Sequence, residues 1–256
     1  MRIADLTLEG DQREIRRILR GIRRCVAPDV ISNFAPKFQY TNGRISEITV
    51  VCETTGKLLT KSADSLSLEG GFKLNLQYVT KRDSVSMRSP VAIDHIALVV
   101  RAENFDAYRT LLVERFKDAQ LEIFEQCPGM DMAELNSYSS DIHIAVCAPS
   151  SPKSHLTKFL SINRGEGLQH VAVSVSNIEL VASRLYESGI EFVSANDRAE
   201  LSEAILRDRR PGGFIHQIFS TPIVGGAFLE LIERHNASSF SNHNIQQLFS
   251  RLENSA

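Results

Sequence analysis

Paired cysteines are missing from this chain. Its four, Cys25, Cys52, Cys127 and Cys147, are scattered with no C-x-x-C spacing. That argues against a disulfide framework and a thiolate zinc site, and fits a reducing compartment. Excess charge of one sign is missing too. The formal net charge is −2 over 256 residues, so no overall field draws the protein to nucleic acid or anionic lipid. No run of about 18 apolar residues occurs, and the opening MRIADLTLEGDQREIRR has no apolar leader core. Neither a membrane span nor a signal peptide is expected, and a cytoplasmic location is. No nucleophile–histidine–acid constellation stands out either. What remains, 43% hydrophobic and 23% charged residues, is the composition of a globular protein with room for one large domain or two small ones.

The one local charge anomaly is REIRRILRGIRR, residues 13–24, with six arginines. Ile15, Ile18, Leu19, Ile22 and Val26 follow helical spacing, so the arginines fall on the opposite face. The spacing predicts a surface helix covering a sheet. Aromatic interleaving, which a nucleic-acid surface would use, is absent.

Two stretches echo each other: IDHIALVV at 93–100 and LQHVAVSV at 168–175. Both read as strands with a histidine two residues before an alanine. Side chains alternate along a strand, so Ile96, Leu98 and Val100 form a packing face while His95 and Ala97 share the other. Likewise Val171, Val173 and Val175 face one way, and Leu168, His170, Ala172 and Ser174 the other. Each echo is followed by a helical stretch, AENFDAYRTLLVERF or NIELVASRLYESG. After the first come candidate strands AQLEIFEQ, AELNSYS and DIHIAVCA; after the second, IEFVSA, GFIHQIFST and AFLELIER. The expected fold is α+β, with paired βαβββ modules forming a half-open barrel. Residues 1–88 are expected to be a shortened unit of the same kind, with an Arg-rich helix and Gly-bounded strands. KRDSVSMRSP, 81–90, reads as a linker to a metal-binding domain over 89–256, and NIQQLFSRLEN, 244–254, as a terminal helix.

Within that frame, Glu230 is an acid in the middle of the apolar strand AFLELIER, which is costly unless the acid is paired or holds a cation. Glu233, nearer the strand end, is expected in solvent. His95, His170 and Glu230 make two imidazoles and one carboxylate, the composition of the facial triad of non-haem Fe(II) oxygenases. Zn²⁺ accepts the same ligands.

The region from residue 93 onward resembles the C-terminal half of 4-hydroxyphenylpyruvate dioxygenase, within the vicinal oxygen chelate superfamily. The motifs are IDHIALVV, GEGLQHVAVSV, ASRLYESGIEFV, GGFIHQIFSTP, GAFLELIERHN and SFSNHNIQQLF, in the family's order. The resemblance implies Fe(II) held by His95, His170 and Glu230, with an aryl pyruvate-like 2-oxo acid and O₂ as substrates of an oxidative decarboxylation and hydroxylation. It also implies substrate contacts from Gln217, Phe240, Asn244, Ser137 and Cys147. For Gln217 a hydrogen bond inside the sheet is an equal alternative, for Ser137 a surface loop, and for Asn244 a helix cap. His143, on the Cys147 face, is expected at the barrel mouth in solvent, with contact to a polar substrate as the alternative.

Departures from the family point away from 4-hydroxyphenylpyruvate itself. HIAVCAP, 143–149, puts Cys147 where the family has asparagine and Ala148 where it has an acid, and SFS replaces Gly-Phe-Gly. Family members are longer, mostly in the N-terminal half, and a homodimer covering exposed sheet is expected here. Two other readings stay open: a divalent-metal lyase or isomerase that needs no O₂, and a binding protein that sequesters a small molecule without turnover.

Overall fold

A computed structural model of the chain describes residues 3–7, 39–41, 44–54, 63–69, 72–80, 92–115, 119–124, 129–137, 143–223, 225–237, 240, 245–247 and 250. The helix expected over 13–24 and the linker at 81–90 lie outside these residues. Of the terminal helix, residues 245–247 and 250 are described, and they are helical.

Among the described residues, the larger of two sheets has eight strands: β6 (Ala92–Val99), β7 (Ala119–Phe124), β8 (Met130–Ser137), β9 (His143–Pro149), β10 (Gly167–Ser174), β11 (Leu206–Arg210), β12 (Gly213–Phe219) and β13 (Phe228–His235). Their spatial order is β11-β12-β13-β10-β6-β9-β8-β7. It is two copies of one module. In each, the first strand runs parallel to the fourth, β6 beside β9 and β10 beside β13, with antiparallel hairpin strands outward. The copies meet through the antiparallel pair β6–β10. This is the expected βαβββ pairing, and the sheet curls into a half-barrel.

Helices cover the outer face. Helix α1 (Phe105–Arg115) buries Phe105, Tyr108 and Leu112, one stripe at helical spacing, in a cluster with Ile96, Leu98, Ile144 and Val146. In α3 (Ile178–Glu187) the Asn177 side chain accepts from the Leu180 N–H at 2.9 Å, capping the first turn. Its stripe of Ile178, Val181, Ala182 and Leu185 packs with Val173, Ile218, Leu229 and Leu231. The Glu233 carboxylate accepts from the Ile178 N–H at 3.0 Å, so this acid caps a helix instead of standing in solvent.

Three local expectations are corrected. IEFVSA is not a strand: Ile190 and Phe192 are buried at the end of α3, and Phe192 makes only isolated bridges to Ala195 and Ser220. The hairpin strand is β11, LRDRR. Its alternation is hidden by charge, since Leu206 and Asp208 are buried while Arg207 is held outside by the Glu179 carboxylate at 2.8 Å. An unforeseen helix, α2 (His155–Ile162), joins the modules. Ser154 caps it, and it buries Leu156 and Phe159 on the inner side of the barrel. Finally, Leu168 does not share the His170 face; it packs in the outer core with Ile96 and Leu98.

The smaller sheet contains β1 (Ile3–Thr7), β2 (Gln39–Thr41), β3 (Arg44–Thr54), β4 (Ala63–Ser67) and β5 (Lys73–Thr80), in the order β1-β3-β5-β4 with β2 on β3. β1 runs antiparallel to β3, and β3 parallel to β5, so its directions differ from those of the two modules. This sheet docks on the large one where β4 and β5 end nearest it: Leu68, Phe72 and Leu74 join the outer core. A fully buried carboxylate, Glu166, locks it there. Oε1 accepts from the Arg101 N–H at 2.9 Å and Asn104 Nδ2 at 2.8 Å. Oε2 accepts from the Glu69 N–H at 3.0 Å and the Tyr108 hydroxyl at 2.9 Å. Burial, with the Glu166 carboxylate beside it, pushes the Tyr108 hydroxyl up to about 12, which keeps it a donor. Among the described residues no helix is long and apolar enough to cross a membrane.

Candidate metal centre

The histidine echo has a register explanation. Across β6–β10, His95 stands opposite Ala172 and His170 opposite Ala97. Each imidazole therefore projects over the other strand's methyl group, and the small residue two positions on is what makes room. The register slips at two places along this ladder, between Leu168 and His170 and between Ala172 and Val173. The residues left without a partner are Gln169 and Asp94, each the neighbour preceding a histidine. A bulge re-aims a side chain, and both bulged residues turn back on the imidazole that follows. Asp94 Oδ1 lies 2.9 Å from His95 Nδ1, and Gln169 Oε1 3.2 Å from His170 Nδ1. An acceptor at each Nδ1 places the ring proton there and leaves Nε2 as a lone pair facing inward.

Those lone pairs converge. The two Nε2 atoms are 3.1 Å apart, and each is 3.3 Å from Glu230 Oε2. Glu230 arrives on β13 beside Ala172, one strand further along the same row as His95. All three side chains are buried, so three acceptors meet away from water with no donor between them unless a cation or proton enters. Burial opposes charge on His95, but the Glu230 and Asp94 carboxylates outweigh it and push its pKa up to about 10. Burial and a charged His95 together drive His170 well below its ordinary value. One positive charge is thus drawn to the triangle, and it serves three acceptors. Ligands about 2.1 Å from one ion stand about 3.0 Å apart at right angles and about 3.4 Å apart in a tetrahedron. The observed sides fall in that range. His95, His170 and Glu230 fit a divalent ion in spacing and in donor chemistry.

Each ligand also has an orienting partner. Gln217 Nε2 donates to Glu230 Oε1 at 2.6 Å, leaving Oε2 for the centre. Arg234, four residues beyond Glu230 on the same strand face, grips Asp94 with two hydrogen bonds of 2.8 and 2.9 Å. Burial would raise the Asp94 pKa, but hydrogen bonds from His95 and Arg234 hold it far below the usual carboxylate range. The Arg234 guanidinium in turn lies 4.5 Å over the Phe240 ring, whose edge meets His95 at 5.3 Å between centroids. Phe228 stacks on His170 at 4.9 Å. Sequence reading missed Asp94, Gln169 and Arg234; the polar residue before each histidine was the available signal. Asp94→Asn is expected to weaken divalent-metal affinity about 10- to 100-fold, measured by competition with a chromogenic chelator. Unchanged affinity would show that the Arg234–Asp94 pair does not orient His95.

The centre opens into a narrow cavity. Of the residues expected at a substrate, Gln217, Phe240 and Cys147 line it, together with Met130, Met132, Leu156, Ile245 and His155. Gln217 is there with an amide already given to Glu230. Asn244 and the side chain of Ser137 lie outside the described residues. The walls are mostly apolar, with polar atoms concentrated at the three-ligand end.

No protein-family model matches the sequence. A 4-hydroxyphenylpyruvate dioxygenase from Legionella pneumophila (strain Corby) is 26% identical over 198 residues, 68% of this chain and 57% of the relative. One from Danio rerio is 30% identical over 171 residues, 57% of this chain and 43% of the relative. The chain thus spans about half the length of the curated relatives it matches. Among solved structures, a mutant of 4-hydroxymandelate synthase from Streptomyces coelicolor superposes with a TM-score of 0.69 at 18% identity, covering 99% of both chains. The chain has the vicinal oxygen chelate fold, and its sequence is similar to those of 4-hydroxyphenylpyruvate dioxygenases.

Proposed function

We propose that the protein is a non-haem Fe(II) dioxygenase that acts on a 2-oxo acid by oxidative decarboxylation and hydroxylation, with a substrate other than 4-hydroxyphenylpyruvate. One observation carries this reading: three buried acceptors, each oriented by its own partner, meet within 3.3 Å at the end of an apolar cavity. Similarity to the dioxygenases and the synthase supports iron over zinc. Cys147 and Ala148, which depart from the family's pattern, support a different substrate. Bound Fe(II) supplies the redox chemistry that couples O₂ to decarboxylation of a 2-oxo acid.

The chain's own work is positional. Asp94, Gln169 and Gln217 fix the three ligands, so no reorganisation is needed when a substrate arrives. Met130, Met132, Leu156 and Phe240 exclude water and give an aryl or alkyl group an apolar wall. No side chain in the cavity is asked to act as general acid or base. The same reading makes the protein a cytoplasmic homodimer; a monomeric mass in solution would reject the dimer.

The test is an anaerobic Fe(II) titration of wild type and His170→Ala, followed optically with a panel of aryl and alkyl 2-oxo acids. A visible charge-transfer band in wild type alone, lost on admitting O₂ with release of CO₂, is the expected result. Iron binding without a band would favour the Lewis-acid lyase or isomerase. Absence of metal binding would leave a binding protein.

A further inference from the structure

The inner wall of the first module carries a carboxylate that the metal centre does not use. Along β8, alternation puts Glu134 and Asn136 on the same inner face as Met130 and Met132; both methionines line the cavity, and Glu134 follows along the strand just beyond its lining. Glu134 pairs in register with Ala145, which also lines it. Glu134 is 0% exposed, yet among the described residues neither of its oxygens has a hydrogen-bond partner, and the side-chain carbonyl oxygen of Asn136 has none either. His143 Nδ1 lies 3.4 Å from Oε1, in ion-pair reach but without hydrogen-bond geometry. Expected in solvent, this histidine is instead only partly exposed and turned toward the acid.

A buried carboxylate with no donor is costly, and a native structure that keeps one invites a ligand that supplies donors. Register says where that ligand would run. Glu134, Ala145, Ala97 and His170 occupy one row across β8, β9, β6 and β10. Only two methyl groups stand between the acid and the metal-binding histidine. Three strand spacings of about 4.8 Å separate the ends, a span suited to a small molecule anchored at both.

We propose that Glu134, with the Asn136 carbonyl beside it, is the recognition point for a cationic nitrogen at the far end of the substrate, which is then a 2-oxo acid bearing a distal ammonium or guanidinium group. This rests on the 2-oxo acid reading above. Specificity follows from what the pair rejects: a substrate with an apolar end leaves the carboxylate buried without a partner.

The experiment compares wild type with Glu134→Met by calorimetry, using Fe(II)-loaded protein without O₂ and two probes, phenylpyruvate and 5-guanidino-2-oxopentanoate. The expected result is a guanidino probe bound at least tenfold tighter by wild type, with the preference lost or reversed in Glu134→Met and phenylpyruvate binding kept. Benzylamine is titrated into metal-free protein in parallel and is expected to bind wild type but not the variant. Equal preference in the two proteins would overturn the proposal while leaving the 2-oxo acid reading standing. Failure of both oxo acids with benzylamine still discriminating would reject that reading and keep the cation site. Should Glu134→Met fold poorly, Glu134→Gln, which keeps shape and one acceptor, is expected to weaken the guanidino probe alone.

Discussion

On the Fe(II) dioxygenase reading proposed above, Glu230→Ala is expected to abolish metal retention, and with it all O₂-dependent turnover, in a protein that remains folded. Glu230 contributes the only formal negative charge among the three converging donor atoms. Two neutral imidazoles remain after its loss, and neither offsets the cation's charge in a site shut off from water. Removing an orienting partner alone typically costs 10- to 100-fold in metal affinity, so loss of a ligand should exceed about a hundredfold. The variant also leaves the Gln217 amide without the oxygen it now serves at 2.6 Å, a smaller penalty that substrate or water can relieve. Metal content after gel filtration, chelator competition and a circular-dichroism melt together check the result. Wild-type iron stoichiometry in a folded Glu230→Ala protein would mean that the triangle is not where the metal sits.

The second large effect concerns stability. Glu166→Ala removes the acceptor for four donors at once, from Arg101, Asn104, Glu69 and Tyr108. Breaking a buried charged hub of this kind costs about 3–5 kcal/mol, because the orphaned groups stay desolvated. The urea midpoint should fall accordingly, with Glu166→Gln recovering part of the loss: its amide oxygen still accepts, while its NH₂ faces donors. The effect should reach the centre as well. Glu166 immediately precedes β10, the strand that carries His170, so the variant is expected to lose metal affinity alongside stability. An unchanged midpoint would show that the docking of Leu68 and Phe72 does not depend on this carboxylate.

Much of this was legible in the residues, and the reasons are specific. His95 and His170 announced themselves because a repeated polar residue on an apolar strand needs a cause. Glu230 did so because an acid in the middle of FLELI has nowhere to discharge its solvation cost. The hairpin strand β11 stayed hidden because LRDRR carries its alternation in charged residues, while IEFVSA looks like a strand and serves as the buried close of a helix. Asp94 and Gln169 were missed for a deeper reason. Strict alternation assigns them to the packing face, and only a slip in register turns them inward; a polar residue out of place on that face is the one mark such a bulge leaves. Glu134 was overlooked because AELNSYS gives no hint of which neighbours fail to answer it.

The doubled module has one further consequence, which lies in how its symmetry is broken. The axis between β6 and β10 exchanges His95 with His170 and Ala97 with Ala172. Across β10 and β13, Ala172 faces Glu230; across β6 and β9, Ala97 faces Ala145. Ala145 is therefore the image of Glu230, a methyl group where a second carboxylate would complete a closed, twofold cage. That single missing side chain makes one half of the molecule the holder and the other half the host. The module with no acid at that position is the half free to face whatever comes in.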